Sequence, residues 1–383
     1  MGRRNLLGLD IDGSAVRMIR LRKDGTGYTV TNAGISDIVP WGDDPALRRI
    51  HTNRASVGGL ASCGIARRGG FEIRPYVVCG LRGPEVVVRD FEFPALPAEE
   101  IGPAVELEAS QICPFSTEES TLDYQVTSNT DKKTVGFWVA AANGLIENTR
   151  QFVHEAVLRC ALIDVAGLAL LNLLETTGQD EAPGVAAGGR CGQDGHRGRE
   201  AGPAPSTMSI SSLPSTKPTA PRVPQAPPLP RSAVLDVGDS CTTIAIMDPA
   251  GRPFVRDIHC GSQEILRRVA LDTGLSKFES RNSNFEFGSL ERACRDLTED
   301  IATTLRYYAA QHGSGRVDRL LVSGGFAAVR EFIELLGTNL YVEVEPWNPV
   351  GQMRCEAGSE CESLLQKAGP SLAVAAGLAM RHI

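Results

Sequence analysis

The chain has 383 residues, a formal net charge of −7 and a pI near 5.5, and its length allows two or three domains that each bury a core. The acidic balance and the 5% aromatic content exclude the basic surfaces and stacking platforms of nucleic-acid binding, so no nucleic-acid partner is expected. No run of eighteen apolar residues occurs, and a strand pattern with two aspartates begins after the first few residues; we therefore expect no direct membrane insertion, no signal peptide and a cytoplasmic location.

The N-terminal segment predicts three consecutive antiparallel strands. Apolar residues dominate 6–11 and 16–22, and a third run covers 28–38 after a Gly-rich turn. The turn between the first two strands contains Asp12, Gly13 and Ser14, small or polar residues whose backbone N–H groups can face an anion.

The next region, residues 86–162, predicts a small inserted α/β domain. An alternating run ends at a proline, and the following helix carries acids in its first turn, which is typical of a helix start. The predicted strands are 86–93, 121–127 and 134–142, and the predicted helices are 97–114 and 145–160.

Residues 178–231 predict a disordered linker rich in Pro, Gly and Ala. They contain no Phe, Tyr or Trp, and nine prolines fall between Pro203 and Pro230, so the segment cannot bury enough apolar area to offset its ordering entropy. A loop docked on the surface is the alternative interpretation.

The second half repeats the opening pattern. It predicts strands at 233–237, 242–247 and 254–259, then helices at 263–271 and 290–311. A further strand from Val317 runs into Gly324 and Gly325 and is followed by a helix, and a Gly pair there lets the backbone approach a flat ligand closely.

The first turn therefore has a counterpart more than two hundred residues later. Asp10 ends the first strand of one unit, and Asp236, followed by Gly238 and Ser240, ends the first strand of the other. A repeated strand–turn–strand unit of this kind indicates two lobes that close on one anion. Function is expected between the two halves.

Together these residues resemble the actin-like ATPases of bacteria and, among them, the PilM-type pilus assembly proteins, which are relatives of FtsA. The match rests on Leu7–Ile11, on 86–126 with its Pro-Phe and Leu-Asp-Tyr-Gln pieces, on the second turn, on 317–325 and on 369–379. It implies an α/β fold of the actin-like (ribonuclease H-like), two-lobed ATPase type with a small inserted α/β subdomain. The implied domains are the first lobe at 1–85 and 163–177, the insert at 86–162, the linker at 178–231, the second lobe at 232–350, and a closing loop and terminal helix at 351–383.

The resemblance also implies a site for ATP and Mg²⁺. The implied phosphate-binding residues are Asp10, Gly13 and Ser14 from one lobe and Asp236, Gly238, Ser240 and Thr242 from the other. Asp10 and Asp236 would hold Mg²⁺ through water, and Gly324 and Gly325 would contact the adenosine.

Three positions depart from the family pattern. Asp12 stands where the family places Gly, so a carboxylate lies beside the expected phosphates and repels them unless magnesium intervenes. Arg17 replaces a Lys, and Phe326 replaces a third Gly in the adenosine loop, where it would either stack on the base or block it.

The resemblance further implies a partner. A short N-terminal cytoplasmic peptide of a PilN-like inner-membrane protein would dock between the insert and the first lobe, which makes the chain peripheral to the inner membrane. The expected groove residues are Phe91, Phe93, Ile112, Phe115 and Tyr124. The alternative is that these side chains form the core of the insert. Self-association of the chain is left open as a second interaction.

Other functions were weighed against this adaptor. A nucleotide-free scaffold resembling the cytoplasmic domain of a type II secretion GspL-like protein is favoured by Asp12 and Phe326 and opposed by the intact second turn. A small-molecule kinase would need a catalytic Asp and a substrate pocket that the pattern does not offer, so no catalytic residue is assigned. An FtsA-like membrane-bound filament would require an amphipathic membrane anchor after the last helix. We expect at most a slow ATPase.

Overall fold

Five strands of the first half and one short C-terminal strand form a six-stranded mixed sheet, and five strands of the second half form a separate sheet. The computed structural model describes residues 6–13, 15–25, 27–37, 67–68, 71–72, 75–178, 231–274, 286–312 and 316–381. Ser14 and the predicted linker, apart from its end residues Gly178 and Arg231, lie outside this set.

The described strands are β1 (Leu7–Asp12), β2 (Ala15–Asp24), β3 (Gly27–Asp37), β4 (Arg67–Arg68), β5 (Phe71–Glu72), β6 (Tyr76–Leu81), β7 (Val86–Pro94), β8 (Ser120–Asn129), β9 (Lys133–Ala142), β10 (Arg159–Val165), β11 (Ser232–Val237), β12 (Thr242–Met247), β13 (Pro253–Ile258), β14 (Arg319–Gly324), β15 (Glu343–Pro346) and β16 (Arg354–Cys355). The described α-helices are α1 (Ala98–Ile112), α2 (Asn143–Glu155), α3 (Ala166–Thr177), α4 (Ser262–Thr273), α5 (Phe287–His312), α6 (Arg330–Leu340), α7 (Ser359–Ala368) and α8 (Ala373–Ala379).

The two large sheets place their central strands in the same way. The first sheet has the order β10-β6-β1-β2-β3-β16, and the second has the order β13-β12-β11-β14-β15. Strand β1 pairs antiparallel with β2 and parallel with β6, and β11 pairs antiparallel with β12 and parallel with β14. We call each sheet with its packed helices a lobe. In each lobe an aspartate lies at or directly before the end of a buried strand, Asp12 in β1 and Asp236 in β11, beside the end of a parallel neighbour. Ligands bind at such strand ends in open α/β sheets.

The insert has its own three-stranded sheet of order β7-β9-β8, on which α1 packs. The apolar face of α1, with Ile101 and Val105, meets Phe91 of β7 and Trp138 of β9. Residues on this side of β7 and β9 alternate with a second set that faces away from α1, and that set is also largely apolar, with Val88 and Val135 buried. Strand β8 lies at the edge of this sheet and pairs only with β9 among the described strands.

The helix predicted at 145–160 is too long. Helix α2 ends at Glu155, Val157 has a left-handed backbone (φ 62°), and the chain enters β10 at Arg159. The apolar spacing that favoured a longer helix instead fills the first lobe, because Phe152 and Val153 pack against β1 and β6. Pairing of β10 with β6 overrides the local pattern. The last strand of the insert sheet ends at Ala142, as predicted.

The C-terminal segment returns to the first lobe. Strand β16 joins β3, and α8 packs on the face of β1. The approach is close: a Cβ on Gly8 would lie 1.8 Å from the Ala375 carbonyl oxygen, so only glycine fits there. The implied terminal helix is therefore an integral part of the first-lobe core. Within the described part of the chain, no helix combines the length and apolar character needed to cross a membrane.

Candidate functional site

The two repeated turns meet where β1 and β11 end, and they are joined through Asp12. Its Oδ2 accepts a hydrogen bond from the backbone N–H of Asp239 at 2.6 Å. Its Oδ1 accepts from the N–H of Ser240 at 3.2 Å and from the Ser240 hydroxyl at 2.6 Å. The N–H of Gly13 donates to the same Oδ1 at 2.8 Å. A carboxylate of the first turn thus occupies the backbone donors of the second.

Arg82 links the two lobes on the neighbouring side of the site. It follows β6 directly, and its guanidinium donates to Asp10 Oδ1 at 2.6 Å and to Asp236 Oδ2 at 3.0 Å. The same group lies 3.5 Å from Asp12 Oδ2. All four side chains are at least 93% buried, so these charges interact with little water between them.

A second arginine, Arg17 on β2, completes the charge balance. It lies 3.7 Å from Asp10 and 3.3 Å from Asp239, which also accepts a hydrogen bond from the Ser262 hydroxyl at the start of α4. Four buried carboxylates and two buried guanidinium groups therefore share this site. Each arginine joins an aspartate of β1 to an aspartate of the second lobe.

Surrounding residues fix these side chains in place. The Ser323 hydroxyl at the end of β14 donates to Asp236 at 2.8 Å. Asp257 on β13 accepts from the N–H of Gly83 at 2.5 Å and from Thr243 at 2.6 Å, and it thereby holds the loop that carries Arg82. The arrangement is rigidly supported from both lobes.

The pKa values follow from burial and from these contacts. Burial acts to raise the pKa of Asp12, but the charge of Arg82 and the hydrogen bonds from Ser240 and Asp239 outweigh it and lower that pKa to about 2. Burial raises the pKa of Asp10 despite Arg82 and Arg17. Asp12 is therefore ionised at neutral pH, and its charge strengthens the hydrogen bonds that it accepts.

Gly238 lies in close contact with the Asp12 carboxylate and the Arg82 guanidinium. A Cβ at position 238 would lie 2.4 Å from Asp12 Oδ2 and 2.7 Å from Arg82 Nη1. The close approach that glycine permits in the second turn is therefore used by residues of the chain itself.

The sequence-predicted site residues separate into two groups. Asp10, Gly13, Asp236, Gly238 and Ser240 come together around Asp12 and Arg82. Ser14 lies outside the described residues.

The other predicted site residues, Thr242, Gly324 and Gly325, do not contact Asp12 or Arg82. The Thr242 hydroxyl donates to the Cys260 carbonyl at 2.6 Å. Gly324 has a positive φ of 84°, and a Cβ there would lie 2.2 Å from the Val237 carbonyl oxygen, so packing of β14 against β11 explains this glycine. Gly325 has open space around it. Phe326 is buried against Phe332, so its ring neither stacks on nor blocks a ligand, contrary to expectation.

The residues present do not fit ATP and Mg²⁺ in this arrangement. The Gly13 and Ser240 donors are bonded to Asp12, the Thr242 hydroxyl is bonded to Cys260, and a guanidinium fills the gap between the two aspartates expected to hold the metal. Among the described residues, no three His, Cys, Asp or Glu side chains are placed to hold a metal ion. The donor set is that of an internal salt-bridge network.

Sequence reasoning missed Arg82, Ser323 and Asp239. Arg82 belongs to no motif, and its only signal is its position directly after a buried strand that runs parallel to β1. Ser323 has the same signal beside β11. Polar residues at the carboxyl ends of adjacent parallel strands converge at one edge of a sheet, and this rule could have found both.

The five expected groove residues all belong to the insert but differ in exposure. Phe91 is 2% exposed and stacks on Phe93 at 4.8 Å between ring centroids, so Phe91 is core, not a groove wall. Phe115 is half-buried against the same core. Ile112 and Tyr124 are 45% and 40% exposed. The solvent-facing apolar side chains of the insert thus lie on α1 and β8.

Comparison with known proteins identifies the family and the fold. A family model described as type IV pilus assembly protein PilM matches residues 8–181 and 222–383. A chain of a solved PilM-PilN type IV pilus biogenesis complex superposes with a TM-score of 0.72 at 20% identity, over 99% of both chains. The ethanolamine utilization protein EutJ from Carboxydothermus hydrogenoformans gives a TM-score of 0.50 at 12% identity, over 99% of this chain and 90% of that one.

A weaker likeness concerns the secretion alternative. The cytoplasmic domain of EpsL, an inner-membrane component of the Vibrio cholerae type II secretion system, gives a TM-score of 0.39 at 7% identity over 95% and 94% of the chains, which is too low to carry an argument. The predicted actin-like, two-lobed α/β fold is confirmed. Because the family model covers most of its length, the chain belongs to the family of the type IV pilus assembly protein PilM.

Proposed function

We propose that the chain is an adaptor of a type IV pilus assembly machine that docks the N-terminal cytoplasmic peptide of a PilN-like inner-membrane protein. Family membership and the similarity to a chain from a PilM-PilN complex support the partner class. Docking of this kind would hold the chain at the cytoplasmic face of the inner membrane through the partner.

The observation that carries the proposal is an exposed apolar face on the insert, which we call the α1–β8 face. It consists of Ile112 on α1 and Tyr124 on β8, which are 45% and 40% exposed. The Tyr124 ring lies beside Gly102 of α1, where an added Cβ would be 3.5 Å from the Tyr124 hydroxyl, so β8 and α1 are neighbours at this point. These exposed side chains lie beside the edge of a sheet, where an added peptide strand could contact them.

The edge of β8 explains how an extended peptide would bind there. A strand at the edge of a sheet presents unpaired backbone groups, and a peptide can add to it as a further strand. Main-chain hydrogen bonds would supply affinity, and Tyr124 and Ile112 would contact apolar side chains of the peptide. Ordering a flexible peptide offsets part of this energy, so we expect a Kd on the order of micromolar.

This function assigns no chemical step to the chain. ATP and Mg²⁺ were expected from the resemblance, but the network of Asp12 and Arg82 favours an adaptor that works without them. In this respect the geometry supports the nucleotide-free alternative, while family membership supports the pilus machine over the secretion machine.

The test is a titration of a fluorescently labelled N-terminal peptide from the PilN-like protein encoded with this chain. Tyr124→Ala should weaken binding about tenfold or more, because exposed aromatic residues at an interface centre carry much of the binding energy. Leu271→Ala removes an apolar side chain that is 71% exposed on α4 in the other lobe, and it should leave binding unchanged.

Two outcomes would contradict the proposal. Equal affinity of wild type and Tyr124→Ala would place the peptide elsewhere than the α1–β8 face. Absence of binding by folded wild-type protein would show that the partner belongs to a different machine.

A further inference from the structure

The contacts of Asp12 reproduce those of a bound anion. Two carboxylate oxygens receive two consecutive backbone N–H groups and a hydroxyl from the second turn, at 2.6 to 3.2 Å. Consecutive backbone N–H groups in a turn form a concave anion site. In this chain the anion is covalently part of the opposite lobe.

The contacts of Arg82 likewise reproduce those of a bound cation. One guanidinium lies between Asp10 and Asp236, at 2.6 and 3.0 Å, and so bridges the two aspartates at the ends of β1 and β11. An arginine remains charged at all relevant pH values, so this bridge does not depend on an added ion. Its third carboxylate neighbour is Asp12, so the internal anion and the internal cation are themselves paired.

The second turn leaves room for the Asp12 and Arg82 side chains only because position 238 is glycine. A side chain at Gly238 would collide with both Asp12 and Arg82, and the N–H of Gly238 is bonded to the Cys241 carbonyl. A phosphate chain entering here would have to displace a carboxylate that accepts four hydrogen bonds and pairs with Arg82. It would also bring negative charge against four aspartates.

We infer that Asp12 and Arg82 together replace the magnesium–nucleotide group of this fold and hold the two lobes in one arrangement without nucleotide. Asp12 takes the place of phosphate oxygens, and Arg82 takes the place of the divalent cation. The chain is then a constitutive adaptor, and its state does not change with the cellular ratio of nucleoside triphosphate to diphosphate.

The experiment is a titration with a fluorescent ATP analogue, with and without Mg²⁺, on the full chain. Wild type should show no saturable binding up to about 1 mM nucleotide. The double variant Asp12→Gly/Arg82→Ala removes both internal charges, and it should bind the analogue at least about tenfold more tightly, only with Mg²⁺.

A matched control removes another Arg–Asp pair that joins the insert to the second lobe. Arg252 lies 3.5 Å from Asp90, outside both turns, so Asp90→Gly/Arg252→Ala should behave as wild type. Saturable, Mg²⁺-dependent binding by wild type would overturn the inference. Failure of a folded Asp12→Gly/Arg82→Ala variant to gain binding would overturn the role assigned to the pair.

A measurement on wild type keeps the inference testable if the double variant does not fold. Hydrogen exchange of a peptide spanning residues 237–241 reports on the N–H groups that donate to Asp12. These amides should be protected in the absence of nucleotide, and added Mg-ATP should not change their exchange. Rapid exchange that slows on addition of Mg-ATP would overturn the inference.

Discussion

The interlobe site and the α1–β8 face use their residues in opposite ways. At the interlobe site the polar groups of both turns are buried and bonded to one another through Asp12 and Arg82. At the α1–β8 face apolar side chains are exposed beside the edge of a sheet. At the interlobe site, residues of the chain itself make the contacts that a ligand would make. On the insert, apolar side chains and a sheet edge remain available for a partner. The proposed roles follow from this difference: the lobe interface would serve as a structural joint, and the insert would serve as the binding surface.

Changes at the joint should therefore affect stability, and changes at the face should affect docking.

Arg82→Ala should lower the free energy of unfolding by about 3–5 kcal/mol, because it leaves three buried carboxylates without their shared cation. Urea unfolding followed by circular dichroism measures this loss. Arg330→Ala is the control: Arg330 is 85% exposed and pairs with Glu334 on the same helix, so its removal should cost no more than about 0.5 kcal/mol. Similar losses for both variants would mean that Arg82 does not join the lobes.

Gly238→Ala should cost about 3 kcal/mol, at the upper end for overpacking, since the new methyl group meets Asp12, Arg82 and the Cys241 carbonyl within 2.9 Å. Gly325→Ala adds the same methyl group where no atom lies within 4 Å, and it should be neutral or slightly stabilising. Urea unfolding of Gly238→Ala and of Gly325→Ala gives two midpoints, and the difference between them measures the effect. A Gly238→Ala protein as stable as wild type would show that the second turn is open.

The pH dependence of stability should report the ionised Asp12. Its pKa is about 2 when folded and near 3.8 when unfolded, so its contribution of about 2 kcal/mol is complete above about pH 4 and is lost as the pH falls toward 2. The difference in unfolding free energy between wild type and Asp12→Asn should therefore shrink from pH 6 to pH 3. Asp10 has a raised pKa, so the corresponding difference for Asp10→Asn should change with pH in the opposite direction. A pH-independent difference for Asp12→Asn would contradict the role of Asp12 as a buried anion.

The architecture could be read from the sequence because it rests on local patterns that recur. The apolar strands ending at Asp10 and Asp236 and the alternation in β7 predicted the two lobes and the sheet of the insert. Local patterns failed where pairing between distant segments decides the structure. Helix α2 was extended past Glu155 because Ala156 and Val157 continue its apolar spacing, whereas pairing of β10 with β6 turns the chain.

The sequence predicted only part of the chemistry of the site, because the rest depends on pairing between distant segments. The sequence showed that Asp12 would repel phosphate, but its hydrogen bonds reach Asp239 and Ser240, more than two hundred residues away. Arg82 had no motif at all, and its role depends on the meeting of β1 and β11 across the lobes. The residue types predicted a charged site. Only the geometry shows that its aspartates bind the donors and the arginine of the same chain.

The thermal midpoint of wild-type protein with and without Mg-ATP tests the central claim most directly. If the internal pair replaces the nucleotide, about 1 mM Mg-ATP should leave the midpoint unchanged, because a ligand that does not bind the folded state cannot stabilise it. A nucleotide bound with a Kd of about 10 μM would add about 2.7 kcal/mol and raise the midpoint by several degrees. A rise of that size, dependent on Mg²⁺, would contradict the account.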